Sequence, residues 1–243
     1  MSHVADIPVA VLAGGRASRL GAAALRTPKV LIDVAGRPFL DHQLALLRRK
    51  GVRRVVLCVG HLGEQVAAHA GDGARHGLAI AISDDGSVPR GTAGALRNAL
   101  PLLGELFFVL YGDAYLDLDY AGVLAGLERR GGGMLGAMTL LRNEGRWDRS
   151  NALFADGRLI RYDKRAPSPD MKHIDCGLGL LRRPVLERVA ADGHADLADL
   201  YSVLAEEGRL YGHEVAERFY EIGSPAGLEE TRVRLAGRPG GPE

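Results

Sequence analysis

Residues 7–21 read IPVAVLAGGRASRLG. Ile7 to Leu12 is an apolar run of strand length that passes without a linker into the paired glycines Gly14 and Gly15. A backbone without Cβ atoms bends tightly there and brings its N–H groups close to phosphate oxygens, while Arg16 and Arg19 add positive charge beside those donors. A strand followed at once by such a loop belongs at the carboxyl edge of an open sheet, where ligands bind. The loop is neither of two familiar phosphate cradles: the Lys-Ser/Thr ending of a P-loop is missing, and the glycine spacing does not fit GxGxxG. A formal GxGxxG at Gly131, Gly133 and Gly136 precedes a strand instead of opening a helix, and it reads as a turn. On its own a GlyGly pair after a strand is equally well a structural turn.

Working outward, Phe39 to Lys50 repeats Leu40, Leu44 and Leu47 at helical spacing, and Val52 to Val59 is a second apolar strand. The alternation continues with a helix over 62–70, a strand over 78–83, a helix over 92–103, a strand over 106–111 and a helix over 120–130. Strands separated by helices of this length predict right-handed crossovers and a mostly parallel sheet. After Gly133 the rhythm changes: strands at 134–141, 152–154 and 159–162 follow one another through turns such as Asp156-Gly157, which predicts an antiparallel or mixed insertion. A strand over 174–181, helices over 184–191 and 196–207, a strand over 210–222 and a helix over 225–235 complete the pattern, and 237–243 reads as a disordered tail. The expectation is a three-layer α/β/α sandwich in one domain, residues 1–236, with one kind of site in the half to about 115 and another in the half after it.

The 243-residue chain carries 31 basic and 30 acidic residues, a formal net charge of +1, so its bulk electrostatics recommend neither nucleic acid nor an anionic membrane as partner. No apolar run approaches the roughly 20 residues of a membrane span, and the N-terminus lacks the pattern of a secretory signal. Cys58 and Cys176 lie far apart in strand-like runs, as buried thiols of a reducing compartment do. A soluble, cytoplasmic protein is expected, and its oligomeric state is not legible.

Ten residues beyond Arg19 comes Lys29 in Thr27-Pro28-Lys29, followed by the apolar VLIDVAGRPFL. With LAGGRASRL before it, this resembles the signature of the sugar-phosphate nucleotidyltransferase family, LAGG-x-G-T/S-RL followed by PK. The resemblance implies a GT-A-like fold, an NTP and a sugar 1-phosphate as partners, and Mg2+ as cofactor. It also implies that Leu12, Ala13, Gly14, Gly15 and Arg16 hold the nucleotide and that Arg19 and Lys29 act on the triphosphate. Physical chemistry agrees, because in-line attack at an α-phosphorus needs positioning and charge neutralisation more than covalent chemistry. One departure is Ala17, where the family carries a third glycine.

Further matches follow in family order. Gly91 and Thr92 open a helix whose N–H groups face a ligand, and the family's GlyThr contacts the nucleobase; Thr92 is equally an N-cap by its residue type. Asp113 follows a buried strand and a glycine and matches the family's metal-binding Asp; Glu221, in YEIGSP, stands where a second carboxylate is usual but as Asp. Lys164 matches the lysine that meets the sugar phosphate, Asp175 stands at the usual sugar-binding Asn, and Asn151 is a further sugar-side candidate. A carboxylate at 175 accepts hydroxyl hydrogens but cannot donate, which alters the sugars that fit. The branch resembled most is the heptose 1-phosphate guanylyltransferases, with uridylyltransferases of hexose or muramate 1-phosphate beside it. Two other classes stay open: a glycosyltransferase using Asp113, Asp117 and Asp119 around a metal, and a non-catalytic sugar-nucleotide sensor.

Overall fold

The computed structural model describes residues 2–15, 20 and 26–236. In chain order its elements are β1 (Val9–Leu12), β2 (Asp33–Val34), β3 (Arg37–Pro38), α1 (Phe39–Arg49), β4 (Arg54–Val59), α2 (Gly63–Ala70), β5 (Ala79–Asp84), α3 (Gly91–Ala99), β6 (Leu106–Tyr111), β7 (Ala114–Tyr115) and α4 (Tyr120–Arg129). There follow β8 (Gly136–Arg142), β9 (Ala152–Ala155), β10 (Arg158–Tyr162), β11 (His173–Arg182), α5 (Pro184–Glu187), α6 (Leu197–Glu206), β12 (Leu210–Val215), β13 (Tyr220–Glu221) and α7 (Pro225–Ala236). The expected tail, 237–243, lies outside the described residues.

Side chains alternate across the strands with period two, and each face of the sheet acquires its own core. Val9, Val11, Val55, Leu57, Phe108 and Leu110 pack under α1, α2 and α4. Ala10, Val56, Phe107, Val109, Met138 and Leu140 pack under α3, α5 and α6. The result is a sheet between two helical layers, the α/β/α arrangement expected. A third, smaller cluster of Val34, Phe39, Leu46, Tyr115, Ile222 and Leu235 seats α7 against β2 and α1.

The main sheet runs β5-β4-β1-β6-β11, with β8 and then β12 beyond β11 and the β9–β10 hairpin along the first part of β11. Among the described residues β1, β4, β5, β6, β8, β9 and β12 share one direction, and β10 and β11 run against it, so the sheet is mixed and mostly parallel. Strand β8 sits inside this sheet, parallel to β12 and antiparallel to β11, so the stretch read as an insertion is integral to it. Gly177, with φ +92°, carries a bulge in β11 between Asp175 and Gly179.

Three boundaries depart from the sequence reading. The strand expected over 210–222 divides: β12 ends at Val215, and β13 leaves the main sheet to pair antiparallel with β7, Tyr220 opposite Tyr115 and Glu221 opposite Ala114. Between them Arg218 lies over the rings of Trp147 and Tyr220 and pairs with Glu230, which fixes the departing chain. The helix expected over 92–103 ends at Ala99, because Pro101 has no N–H to extend it and the chain tightens into a 3-10 turn. The helix expected over 184–191 is a single turn, Pro184–Glu187. No helix among the described residues is long and apolar enough to cross a membrane.

Candidate active site

The adjacent parallel strands β5, β4, β1 and β6 end on one edge, and the four segments that leave them line one cavity of about 630 Å3. Gly14 and Gly15 come from β1, Gly60, His61 and Leu62 from β4, Asp85 to Thr92 from β5, and Gly112 and Asp113 from β6. Lys29 and Tyr111 complete the wall. Two of the glycines are there for backbone proximity. A methyl group on Gly14 would stand 3.2 Å from the amide nitrogen of Gly60, and one on Gly112 would stand 2.5 Å from the carbonyl oxygen of Leu12. Without side chains these positions let three strand ends crowd around the same space.

At the floor, Lys29 Nζ lies 2.5 Å from Asp113 Oδ2. Lys29 begins a single 3-10 turn, Lys29–Leu31, set by the extended Pro28 before it. Asp113 sits in the turn between β6 and β7, and its carbonyl accepts a hydrogen bond of 3.0 Å from the N–H of Ile222, which brings the β13–α7 corner against it. A methyl group on Gly223 would be 3.0 Å from Lys29 Nζ and 3.4 Å from Asp113 Oδ2, and it would overlap the Glu221 carboxylate. Lys29, Asp113 and Glu221, widely spaced in sequence, therefore surround one point. Both oxygens of Glu221 are engaged at the start of α7: Oε1 accepts from Ser224 Oγ at 2.6 Å and Oε2 from the Gly223 N–H.

Gln43 holds this turn from behind. It is 1% exposed, and its Nε2 donates to the carbonyls of Tyr111 (3.2 Å) and Ala114 (2.7 Å), which bracket Gly112 and Asp113. The position falls on the apolar stripe of α1 beside Leu40, Leu44 and Leu47, and a polar side chain on such a stripe was the signal available in the sequence.

The start of α3 is arranged differently from the sequence reading. Arg90 holds the N-cap position, and the N–H groups of Ala93 and Gly94 donate to the carbonyl of Ala195, so part of this helix end is satisfied by protein. Thr92 is no N-cap: its hydroxyl donates to Asp196 Oδ1 at 2.9 Å and accepts from the Leu197 N–H at 2.7 Å, tying α3 to the start of α6. Gly91 and Thr92 still line the cavity. Beside them Asp85 is pushed above the usual carboxylate range by burial, against the opposing hydrogen bond from Asn98.

Beyond Tyr111 lies a second group. The Lys164 ammonium stands 5.5 Å from the centre of the Tyr111 ring. Asn151 Oδ1 accepts from the Asp175 N–H at 3.0 Å, and Asp175 Oδ1 accepts from the Gly177 N–H at 2.8 Å. Burial raises the Asp175 carboxyl above its ordinary range, although the Gly177 N–H, the Lys164 charge and Tyr162 pull the other way. Asn151, Lys164 and Asp175 thus gather together, adjoining the main cavity through Tyr111 without lining it. Ala13 is buried behind the cavity wall, its N–H donating to Cys58. Arg16, Ala17 and Arg19 lie outside the described residues.

A model of the MobA-like NTP transferase domain matches residues 9–148, more than half of the chain and every strand end around the cavity. The chain belongs to this family. Over 232 residues the NTP transferase is 27% identical to the N-acetylmuramate alpha-1-phosphate uridylyltransferase of Neisseria meningitidis serogroup B, across 93% of this chain and 97% of that protein. Over 219 residues it is 28% identical to the mannose-1-phosphate guanylyltransferase catalytic subunit beta of Danio rerio, across 88% of this chain and 61% of that longer protein. In fold it is similar to a Bacillus anthracis protein assigned as a glucose-1-phosphate thymidylyltransferase and crystallised with sucrose (TM-score 0.85, 19% identity, 97% and 98% of the two chains). HddC from Yersinia pseudotuberculosis, solved with GMP-PN, is also similar (TM-score 0.76, 20% identity, 94% and 99%). The family read from the motifs is the family found, and the NTP transferase is an enzyme of the sugar 1-phosphate nucleotidyltransferase kind.

At the Gly223 corner Asp113 and Glu221 offer a hard cation oxygen donors. Among the described residues no three His, Cys, Asp or Glu side chains are grouped to hold a metal ion. Asp113 and the nearby Glu221 nevertheless suit Mg2+, which takes one or two carboxylates and completes its shell with phosphate oxygens and water. Asp117 belongs elsewhere: it pairs with Lys50 at 2.7 Å and lines a separate cavity of about 230 Å3 with Tyr115, Arg218 and Tyr220. Asp119 directly precedes α4. The three-aspartate metal arrangement of the glycosyltransferase alternative is therefore not assembled.

Proposed function

We propose that this enzyme transfers GMP from GTP to a heptose 1-phosphate, releasing pyrophosphate. The observation that supports the reaction class best is the convergence of Gly14, Gly15, Lys29 and Asp113 at the strand ends around a single cavity. A phosphate oxygen of the sugar 1-phosphate attacks the α-phosphorus in line; the new P–O bond forms as the bond to the β-phosphate oxygen breaks, and pyrophosphate departs with that electron pair. Lys29 neutralises charge on the phosphates, the backbone of Gly14 and Gly15 lies against them, and Arg16 and Arg19 add cations from the same loop. Asp113, with Glu221 beside it, would hold Mg2+, whose charge would supply further neutralisation of the reacting phosphates. Lys164 meets the sugar phosphate and Asp175 and Asn151 the sugar hydroxyls. We read residues 1–236 as one domain, acting in the cytoplasm, where the free buried thiols Cys58 and Cys176 stay reduced.

Asp85 supports guanine over uracil. The guanine edge presents two adjacent donors, N1–H and N2–H2, which one carboxylate accepts together; uracil presents a single N–H between two carbonyls that a carboxylate repels. A second reading, UTP with a muramate or hexose 1-phosphate, is favoured by the full-length similarity to the Neisseria uridylyltransferase. The test is a matrix of the NTPs against heptose, hexose and muramate 1-phosphates with pyrophosphate release as readout. Release from GTP only in the presence of the heptose phosphate is the expected result; release confined to UTP moves the assignment to the second reading. Tight NTP binding with no release in any pair would instead leave a sensor.

A further inference from the structure

The Asp113 carboxylate already has a cation against it, and that cation belongs to the protein. Lys29 Nζ contacts Asp113 Oδ2 at 2.5 Å, with the lysine side chain 14% exposed and the aspartate 37%. Among the described residues Asp113 is the one carboxylate within ion-pair distance of Lys29. Glu221, though adjacent, gives its two oxygens to Ser224 and Gly223. The Asp113 carboxylate is thus neutralised by an ammonium on a flexible four-carbon stem, and Gln43 and the Ile222 N–H fix the turn that carries it.

We propose that Lys29 is a resident counterion that occupies the metal position in the free enzyme and gives it up only when a triphosphate draws the ammonium away. The inference rests on the reading above that Asp113 receives the divalent cation. Its physical basis is competition. A divalent ion approaching Asp113 has to displace a bonded ammonium and then meets the repulsion of that same charge a few ångströms away. A nucleoside triphosphate brings about four negative charges to the adjoining glycine loop and offers Lys29 a richer set of acceptors. Once Lys29 swings to the phosphates, Asp113 Oδ2 is released to the metal. Metal and nucleotide therefore strengthen one another's binding, and by linkage the strengthening is equal in both directions. The arrangement also keeps a half-exposed carboxylate from binding stray divalent ions tightly between turnovers.

The consequence is counterintuitive: removing a basic residue needed for turnover improves metal binding. Mn2+ is the probe, its free concentration read by electron paramagnetic resonance on the whole purified chain at low ionic strength. Without nucleotide, Lys29→Met should bind Mn2+ about fivefold more tightly than the wild type, the upper end of what one competing ion pair supplies at an exposed site. Lys29→Arg should stay near wild type, and Lys29→Met combined with Asp113→Asn should lose the gain. Adding a non-hydrolysable analogue of the NTP that turns over should tighten Mn2+ on the wild type and change Lys29→Met far less. Equal or weaker Mn2+ binding by Lys29→Met overturns the counterion proposal while leaving the metal site in place, provided binding still depends on Asp113. Binding indifferent to Asp113→Asn in every form removes the metal assignment and the proposal together. If Lys29→Met does not fold, as circular dichroism would show, the wild type decides alone: Mn2+ affinity unchanged by the analogue overturns the proposal.

Discussion

Replacing Gly112 by alanine tests the geometry of the site more sharply than removing a charged side chain. The added methyl carbon would lie 2.5 Å from the Leu12 carbonyl oxygen and 3.1 Å from Val30 Cγ1, where ordinary contacts begin near 3.4 Å. The Leu12 carbonyl belongs to β1 and also accepts the Gly112 N–H at 3.1 Å, so it has no flexible end to yield. Relief requires the turn to retreat from β1 by about 0.9 Å, and Asp113, the next residue, moves with it. A displacement near 1 Å of a group that positions reacting atoms costs about a hundredfold in kcat, and overpacking of this kind costs about 1–3 kcal/mol of stability. The assay pairs pyrophosphate release with thermal unfolding. Gly104→Ala is the control, since nothing lies within 4 Å of its added carbon. A Gly112→Ala enzyme that melts with the wild type and retains kcat within about threefold would refute the claim that this glycine sets the approach of Asp113 to the loop.

Lys29→Ala and Asp113→Ala should each lower turnover by at least about a hundredfold with the melting temperature little changed; near-normal rates in either would remove these residues from the chemistry. Gln43→Leu strips the carbonyls of Tyr111 and Ala114 of their shared donor and should cost about 1–3 kcal/mol in urea unfolding, with kcat falling as well. Asp85→Asn should reduce the preference for GTP over ITP, which lacks the 2-amino group; an unchanged ratio would mean that Asp85 does not read the base. For Asp175 the folded carboxyl titrates above the unfolded one, so its contribution is most favourable at low pH and is lost as pH rises from the ordinary aspartate pKa through the raised value. Asp175→Asn should therefore melt higher than the wild type at pH 7 and flatten the pH dependence across that window. A variant less stable at pH 7 would contradict it.

The layers were legible because the residues of β1, β4 and β6 are apolar on both faces, as strands covered by helices must be, and because α1 repeats leucine at helical spacing. The candidate site was legible where chemistry clings to short motifs: Gly14-Gly15 and Asp113 each follow a strand that the sequence already marks, and Lys29 follows Pro28 in the motif that carries the resemblance. Tertiary commitments were not. Nothing in GlyThrAlaGly signals that the Thr92 hydroxyl is taken by Asp196, more than a hundred residues away, or that Ala195 caps Ala93 and Gly94. The single apolar-polar stretch 210–222 likewise hides a change of partner, because the pull on it comes from Trp147, Glu230 and Asp113, none of them local. Gln43 and Asp85 were visible as residues and unremarked as functions, since a polar group on a buried stripe gains meaning only once its acceptors are known.

The bond between Ala195 and the first turn of α3 bears on how the molecule would respond to cutting. The region recognisable by family ends at residue 148, yet β6 within it has β11 as one neighbour, and the opening N–H groups of α3 are satisfied by a loop that follows β11. A polypeptide ending at 148 would expose the flank of β6 as an open edge, strip the helix that lines the main cavity of its acceptor, and leave Asp113 without the α7 corner against it. Such a fragment is expected to aggregate instead of binding nucleotide weakly. Joining the missing segment back as a separate chain should restore both solubility and the cavity, since the seam between them joins backbone hydrogen bonds to a shared apolar core.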